Sequence, residues 1–249
     1  APTDVVQATQ HTVVLAYPRV SGRTVSAEAS LALRQHVQGG GTLVGFEVLG
    51  AGLNDLFGLA AVTEDAERRH LRFGADSAKR WGLESPQEQQ LPLGTNKAPL
   101  RGVAFQTVAD ARVLAQFDDG SPALVEHPYG QGRTYAIAID IGAFLAGAQQ
   151  WRRALWHDYI NAFEPAVDVL LRWVKAVYRE GQPGAVTLAT VPEGRALSVV
   201  LSHDVDFSGS MRNALAYARS EARQKVRSTF FVQTKYVKDW SDERFFDAD

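Results

Sequence analysis

The segment that decides the fold class begins His11-Thr12-Val13-Val14-Leu15-Ala16-Tyr17 and is closed by Pro18. Ser26 and the run Ala27 to Val37 follow, then Gly39-Gly40-Gly41, then Thr42-Leu43-Val44-Gly45-Phe46-Glu47-Val48. The outer two runs are short and almost wholly apolar, as strands buried on both faces are. Between them Leu31, Leu33 and Val37 fall on a helical pattern. Ser26 stands where a cap accepts the first free N–H groups, and the three glycines stop the helix. Strand, helix, glycine stop and strand make a βαβ unit, which predicts a parallel sheet covered by helices. The glycines do not read as a phosphate cradle. Such a loop leads from a strand into a helix, whereas these follow a helix and precede a strand.

Beyond this unit, from Ala61 to Thr107, the pattern weakens. Pro86, Pro92 and Pro99 among many Gln and charged residues predict an irregular excursion around a short strand or two. Three runs then alternate: Arg112 to Phe117, Ala123 to His127, and Arg133 to Ile139. Asp119-Gly120 and Gly130-Gln131-Gly132 separate them, so the spacing predicts an antiparallel meander. Phe163 to Arg179 is the clearest helix, with Phe163, Val167, Leu170, Leu171, Val174, Val177 and Tyr178 in one apolar stripe. Gly181, Pro183 and Gly184 end it and mark a domain junction. A strand over Leu197–Leu201, a helix over Ser210–Gln224 and a strand over Ser228–Val232 then open a second βαβ pattern. The expected organisation is an α/β domain over 1–160, a connecting helix and linker over 161–184, and a further α/β unit over 185–249.

Composition excludes several functions. Of 249 residues, 45% are hydrophobic and 22% charged, which rules out wholesale disorder. Lys plus Arg total 26 against 28 for Asp plus Glu, a formal charge of −2, so there is no basic surplus to bind nucleic acid. No apolar run approaches the ~20 residues that cross a bilayer. With no cysteine there is no disulfide, no thiolate metal site and no cysteine nucleophile. The chain opens Ala1-Pro2-Thr3 rather than with Met. Removal of a signal peptide would leave such an end, as would a cloning boundary; the first of these predicts a periplasmic or extracellular protein.

Two aspartate motifs compete for attention. Phe117-Asp118-Asp119-Gly120 lies between two alternating runs, and Asp-Gly is a favoured hairpin turn, so it reads as a turn. Ser202-His203-Asp204-Val205-Asp206 instead follows an apolar strand and precedes a helix. Ligands collect at the carboxyl ends of such strands. Alternation puts Asp204 and Asp206 on one side of an extended segment, and close carboxylates repel unless a cation or proton lies between them. The same residues also suit a turn at Asp204 and a helix cap at Asp206. His203 reads as a structural histidine, since one hydrogen-bond partner satisfies it.

The string Leu201 to Asp206, followed about twenty residues later by Ser228-Thr229-Phe230-Phe231-Val232, resembles the opening of the polysaccharide deacetylase family with the NodB-homology fold. That resemblance covers about Ala185 to Asp249. It implies a (β/α) barrel, a divalent metal (zinc by preference), Asp204 as general base and Asp206 as metal-binding aspartate. The histidine position is usually a buried Phe in the family, with its side chain turned away from the metal. The FDDG string at 117–120 also resembles the family's TFDDG signature, but in a hairpin setting. The family further needs an HxxxH pair on a later segment. None of His11, His36, His70, His127, His157 and His203 forms one, and a catalytic zinc normally takes three protein ligands. This chain on its own is therefore expected to be inert.

Residues 11 to 150 resemble a class I glutamine amidotransferase-like domain, on the His11–Tyr17 strand, the Gly39 to Val44 turn and Gly130-Gln131-Gly132-Arg133. Similar non-catalytic domains occur in carbohydrate-active proteins, and the resemblance implies a flavodoxin-like sheet. Amidotransfer itself is excluded, because it needs a cysteine nucleophile. The expected function is part of a metal-dependent polysaccharide deacetylase acting on an acetylated glycan. The competing readings are a non-catalytic carbohydrate-binding or scaffolding protein, and an unrelated two-domain α/β protein. Trp81, Trp151, Trp156, Trp173 and Trp240 are potential sugar-stacking residues. Of these, Trp173 fits a core helix face, while Trp151 and Trp156, beside Arg152, Arg153 and His157, are the candidates for carbohydrate contact.

Overall fold

In the computed structural model β1 (Val13–Ala16) leads to α1 (Ala27–Gln38) and back to β2 (Thr42–Phe46), which pairs with β1 in parallel. The structure describes residues 9–16, 20–21, 25–50, 52–94, 99–150, 165–188, 191, 193, 195 and 198–232. They belong to two compact units, Ala1–Val186 and Thr187–Asp249. Both ends of α1 follow from local chemistry. The Ser26 hydroxyl accepts the Ala29 N–H, and at the other end the N–H of Gly39 returns to the Gln35 carbonyl and that of Gly40 to the Val37 carbonyl. Leu33 and Val37 are buried, but Leu31 faces out, so the apolar face of α1 is narrower than its leucines suggested.

After β2 come β3 (Leu59–Arg68) and β4 (His70–Phe73), then short helices α2 (Ala75–Arg80) and α3 (Pro86–Gln89), then β5 (Gln90–Pro92) and β6 (Leu100–Thr107). This stretch is far more regular than the irregular excursion expected from its prolines. β3 and β6 form their own antiparallel pair with register shifts. β3 carries Glu64, Glu67 and Arg68, and its ladder is satisfied by β6 rather than by an apolar alternation that a short window would detect.

The meander follows as β7 (Arg112–Phe117), β8 (Pro122–Tyr129) and β9 (Gly132–Ile137), antiparallel throughout, with α4 (Ile141–Gln150) and α5 (Pro165–Gly181) closing the unit. β9 also pairs in parallel with β2. One seven-stranded sheet results, in the order β1-β2-β9-β8-β7-β4-β5, parallel across its first three strands and antiparallel across the rest. The fold is α/β with a mixed sheet. Its core holds Leu43, Val44, Tyr135 and Ile137 from the strands and Trp173 from α5.

The two glycine clusters meet in space. A Cβ on Gly132 would lie 2.2 Å from the Gly41 carbonyl oxygen and 2.3 Å from that of Val37, both backbone atoms. Gly132→Ala should therefore push β9 away from the end of α1 and cost about 1–3 kcal/mol. A lowered urea midpoint with unchanged slope is the expected reading.

The second unit consists, among the described residues, of β10 (Ser202–Val205), α6 (Ser208–Gln224) and β11 (Thr229–Val232), with β10 and β11 parallel. The strand expected over Leu197–Leu201 begins at Ser202 instead, and residues 198–201 are not strand. Its partner fixes this. β11 offers four residues, in register from Ser202↔Thr229 to Val205↔Val232, and Val199 and Val200 stay exposed.

Candidate active site at the carboxyl end of β10

The later start of β10 puts Asp204 inside the strand and Asp206 immediately beyond it. Val205 between them is buried, while both aspartates are exposed. His203 shares the face of Val205. Its Nε2 lies 2.7 Å from Glu221 on α6, and its ring stacks at 5.2 Å on Tyr217 and at 4.5 Å on Phe230. The ring is thus held as a structural group beneath α6. Alternation then turns Asp204 to the opposite face, beside Phe231, its register partner. The Ser228 hydroxyl bonds to Glu221 as well, and Ser228 and His203 together hold that carboxyl below its usual range.

The capping reading of Asp206 meets a geometric obstacle. The N-cap of α6 is Phe207, and no side chain bonds at the cap. Among the described residues neither Asp204 nor Asp206 has a hydrogen-bond or ion-pair partner. Two carboxylates stand at one strand end, uncompensated. They do not complete a zinc site by themselves. Three protein ligands are the norm, no histidine follows His203 in the sequence, and no group of three His, Asp or Glu side chains suited to a metal occurs among the described residues.

The other aspartate motif is a turn. Gly120 has φ +80°, and β7 and β8 meet across it. Asp118 contacts His70 at 3.2 Å, and Asp119 contacts Arg68 at 2.9 Å. Burial would raise the Asp119 carboxyl, but bonds from Ser121 and the Arg68 guanidinium outweigh it and hold the group low. Arg68 is almost wholly buried, donates to the Val103 carbonyl and lies 4.0 Å from the Phe117 ring centroid. These contacts pin a hairpin to β3.

A second polar cluster, in the first unit, was not signalled by any local motif. Arg80 binds Glu126 at 3.1 Å, Glu180 at 2.5 Å and the Tyr135 hydroxyl at 3.0 Å, residues that are 46, 100 and 55 positions away. The Tyr135 hydroxyl donates to Glu126 at 2.9 Å. Burial, reinforced by the Glu126 carboxylate, pushes the Tyr135 phenol up to about 12. Its unfolded value is about 10. Because the folded pKa is raised, its stabilising contribution is intact below about pH 10 and is lost as pH climbs to about 12. Tyrosinate absorbance of the folded protein should show one phenol that ionises well above pH 10 and is missing in Tyr135→Phe; loss of a component near pH 10 in that variant would contradict this.

Of the tryptophans, Trp173 is buried, with edge-on contacts to Trp81 and Tyr135. Trp81 is half-buried. Trp151, Trp156 and Trp240 lie outside the described residues. No helix among the described residues is long and apolar enough to cross a membrane.

No family model matches this chain, and no curated protein matches it. Among solved structures it is similar to a cytoplasmic protein from Salmonella typhimurium LT2, at 16% identity, over 70% of this chain and 76% of that one, with a TM-score of 0.42. A second cytoplasmic protein from Salmonella typhimurium matches at 14% identity over 70% and 75%, with a TM-score of 0.46. An exo-β-1,4-mannosidase from Opitutaceae bacterium strain TAV5 matches at 16% identity over 66% of this chain and 25% of its own, with a TM-score of 0.41. None of the three is named as a deacetylase, and likeness at this level assigns this chain neither a family nor a function.

Proposed function

We propose that the second unit supplies the acidic pair of a metal-dependent polysaccharide deacetylase, with Asp204 as general base and Asp206 as one metal ligand. The observation that carries this reading is the pair of exposed, unpartnered carboxylates at the carboxyl end of a parallel strand, where catalytic groups collect. The His203 ring, turned under α6, leaves the opposite face of β10 to Asp204. That face also carries exposed Phe231, and parallel sheets are ordinarily covered on both sides. A pair of parallel strands with the Asp204 and Phe231 face open suits the start of a NodB-type (β/α) barrel. The first unit is then a flavodoxin-like, amidotransferase-like accessory domain.

In acetyl hydrolysis Asp204 takes the proton of the water that attacks the acetyl carbonyl. A divalent metal, when bound, supplies Lewis-acid polarisation of the carbonyl. The histidine donors that would complete its site are not in this sequence, so the 249-residue chain alone is expected to release no acetate. The substrate on this reading is an acetylated glycan, and the location that goes with it is the periplasm or the cell exterior.

The test is zinc content by elemental analysis, on the protein as its source organism makes it. Asp206→Asn should lose most of the bound zinc, and Asp204→Asn should keep it. Equal retention by both variants would overturn the ligand assignment. Glycan binding that survives chelation, with no zinc in the wild type, would favour the carbohydrate-binding scaffold.

A further inference from the structure

In the first unit, an open cavity of about 370 Å³ is lined by Arg80, Trp81, Ala176, Arg179 and Glu180, a volume within the range of small-ligand sites. Its walls are the end of α2, where Trp81 is the C-cap, and the last turns of α5. Trp81 is held rigidly. Phe73 and Trp173 meet it edge-on at 5.7 and 6.4 Å, and the Arg80 guanidinium carbon lies 5.5 Å from its ring centroid. A half-buried indole fixed in this way offers apolar surface at little entropic cost.

The charges of the wall do not cancel. Arg80 bonds Glu180 at 3.2 Å from Nε and 2.5 Å from Nη2, and it also pairs with Glu126, which Arg133 approaches at 3.7 Å, so these two arginines and two glutamates balance. Arg179, exposed on the adjoining position of α5, is left as the net positive charge. Three demands on a ligand follow. It needs an apolar ring face for Trp81, one negative charge for Arg179, and hydroxyl donors for the Glu180 carboxylate. A pyranose bearing a single carboxylate meets all three.

We propose that this cavity binds an acidic sugar residue of a glycan, a uronic acid, with Trp81 against the ring and Arg179 on the carboxylate. The proposal rests on first-unit residues alone and does not depend on the roles of Asp204 and Asp206. It is tested by calorimetric titration of the full chain with a β-1,4-linked glucuronate tetramer and with cellotetraose, which carries a neutral hydroxymethyl group in place of each carboxylate. The uronate should bind at least about tenfold more tightly, as one charge-assisted hydrogen bond allows. Arg179→Gln should erase that preference without moving Tm, because the side chain is exposed. Equal binding of both tetramers, binding of neither, uronate binding untouched by Arg179→Gln, or displacement by equimolar inorganic phosphate would each overturn the proposal.

Discussion

Asp204→Asn protein, made as the source organism makes it, is expected to release acetate about 10²–10⁴ times more slowly than wild type while holding the same zinc. The amide keeps the size and hydrogen-bonding reach of the carboxylate but cannot take a proton. Asp204 is exposed and unpartnered among the described residues, so the substitution leaves no group stranded and stability should stay within about 1 kcal/mol of wild type. The informative control is Asp119→Asn. Asp119 belongs to a string that looks more like the deacetylase signature than Asp204 does, yet it holds Arg68 at a hairpin. Its replacement should lower stability and leave turnover alone. The reverse pattern would mean that the roles of the two motifs are exchanged.

Trp173→Ala is expected to cost about 3–5 kcal/mol, the largest stability loss of any single truncation in the first unit. The indole is 1% exposed, stands at the centre of the Trp81 and Tyr135 edge contacts, and ties α5 to the sheet. Its Nε1 has no hydrogen-bond partner, so the loss is one of packing and of the cavity left behind, with no polar partner orphaned. For a unit of this size, the loss corresponds to a fall of about 6–20 °C in Tm. Trp173→Phe keeps part of the ring and should recover much of that loss. A shift below about 2 °C for Trp173→Ala would mean that α5 is not integral to the first unit.

What could be read in the sequence was decided by local chemistry. α1 and the β7–β9 meander have their ends set by Ser26, Gly39, Gly120 and Gly130, residues whose effects reach only a few positions. The βαβ start was legible for the same reason. β3 and β6 were not, because each is satisfied mainly by the other, across a long separation. β10 was misplaced because the apolar run at 197–201 satisfies the pattern of a strand, whereas its described residues 198–201 lie outside the ladder, whose register begins at Ser202.

The candidate site divides along the same line. The Asp204–Asp206 pair and its position after a strand are sequence features. The choice of Phe207 as the N-cap, which leaves Asp206 outside the cap, is a backbone fact. His203 finds Glu221 and Tyr217 on α6 only once that helix has packed. The Arg80 cluster beside Trp81 lay beyond any motif, since its members come from four separate elements.

The most direct test of the central claim is acetate release from an N-acetylated β-1,4-linked oligosaccharide by the protein as its source organism makes it, with zinc present and after chelation. The account predicts release that stops on chelation, returns with zinc and is lost in Asp204→Asn. No release with zinc present, or release that survives Asp204→Asn, would contradict it.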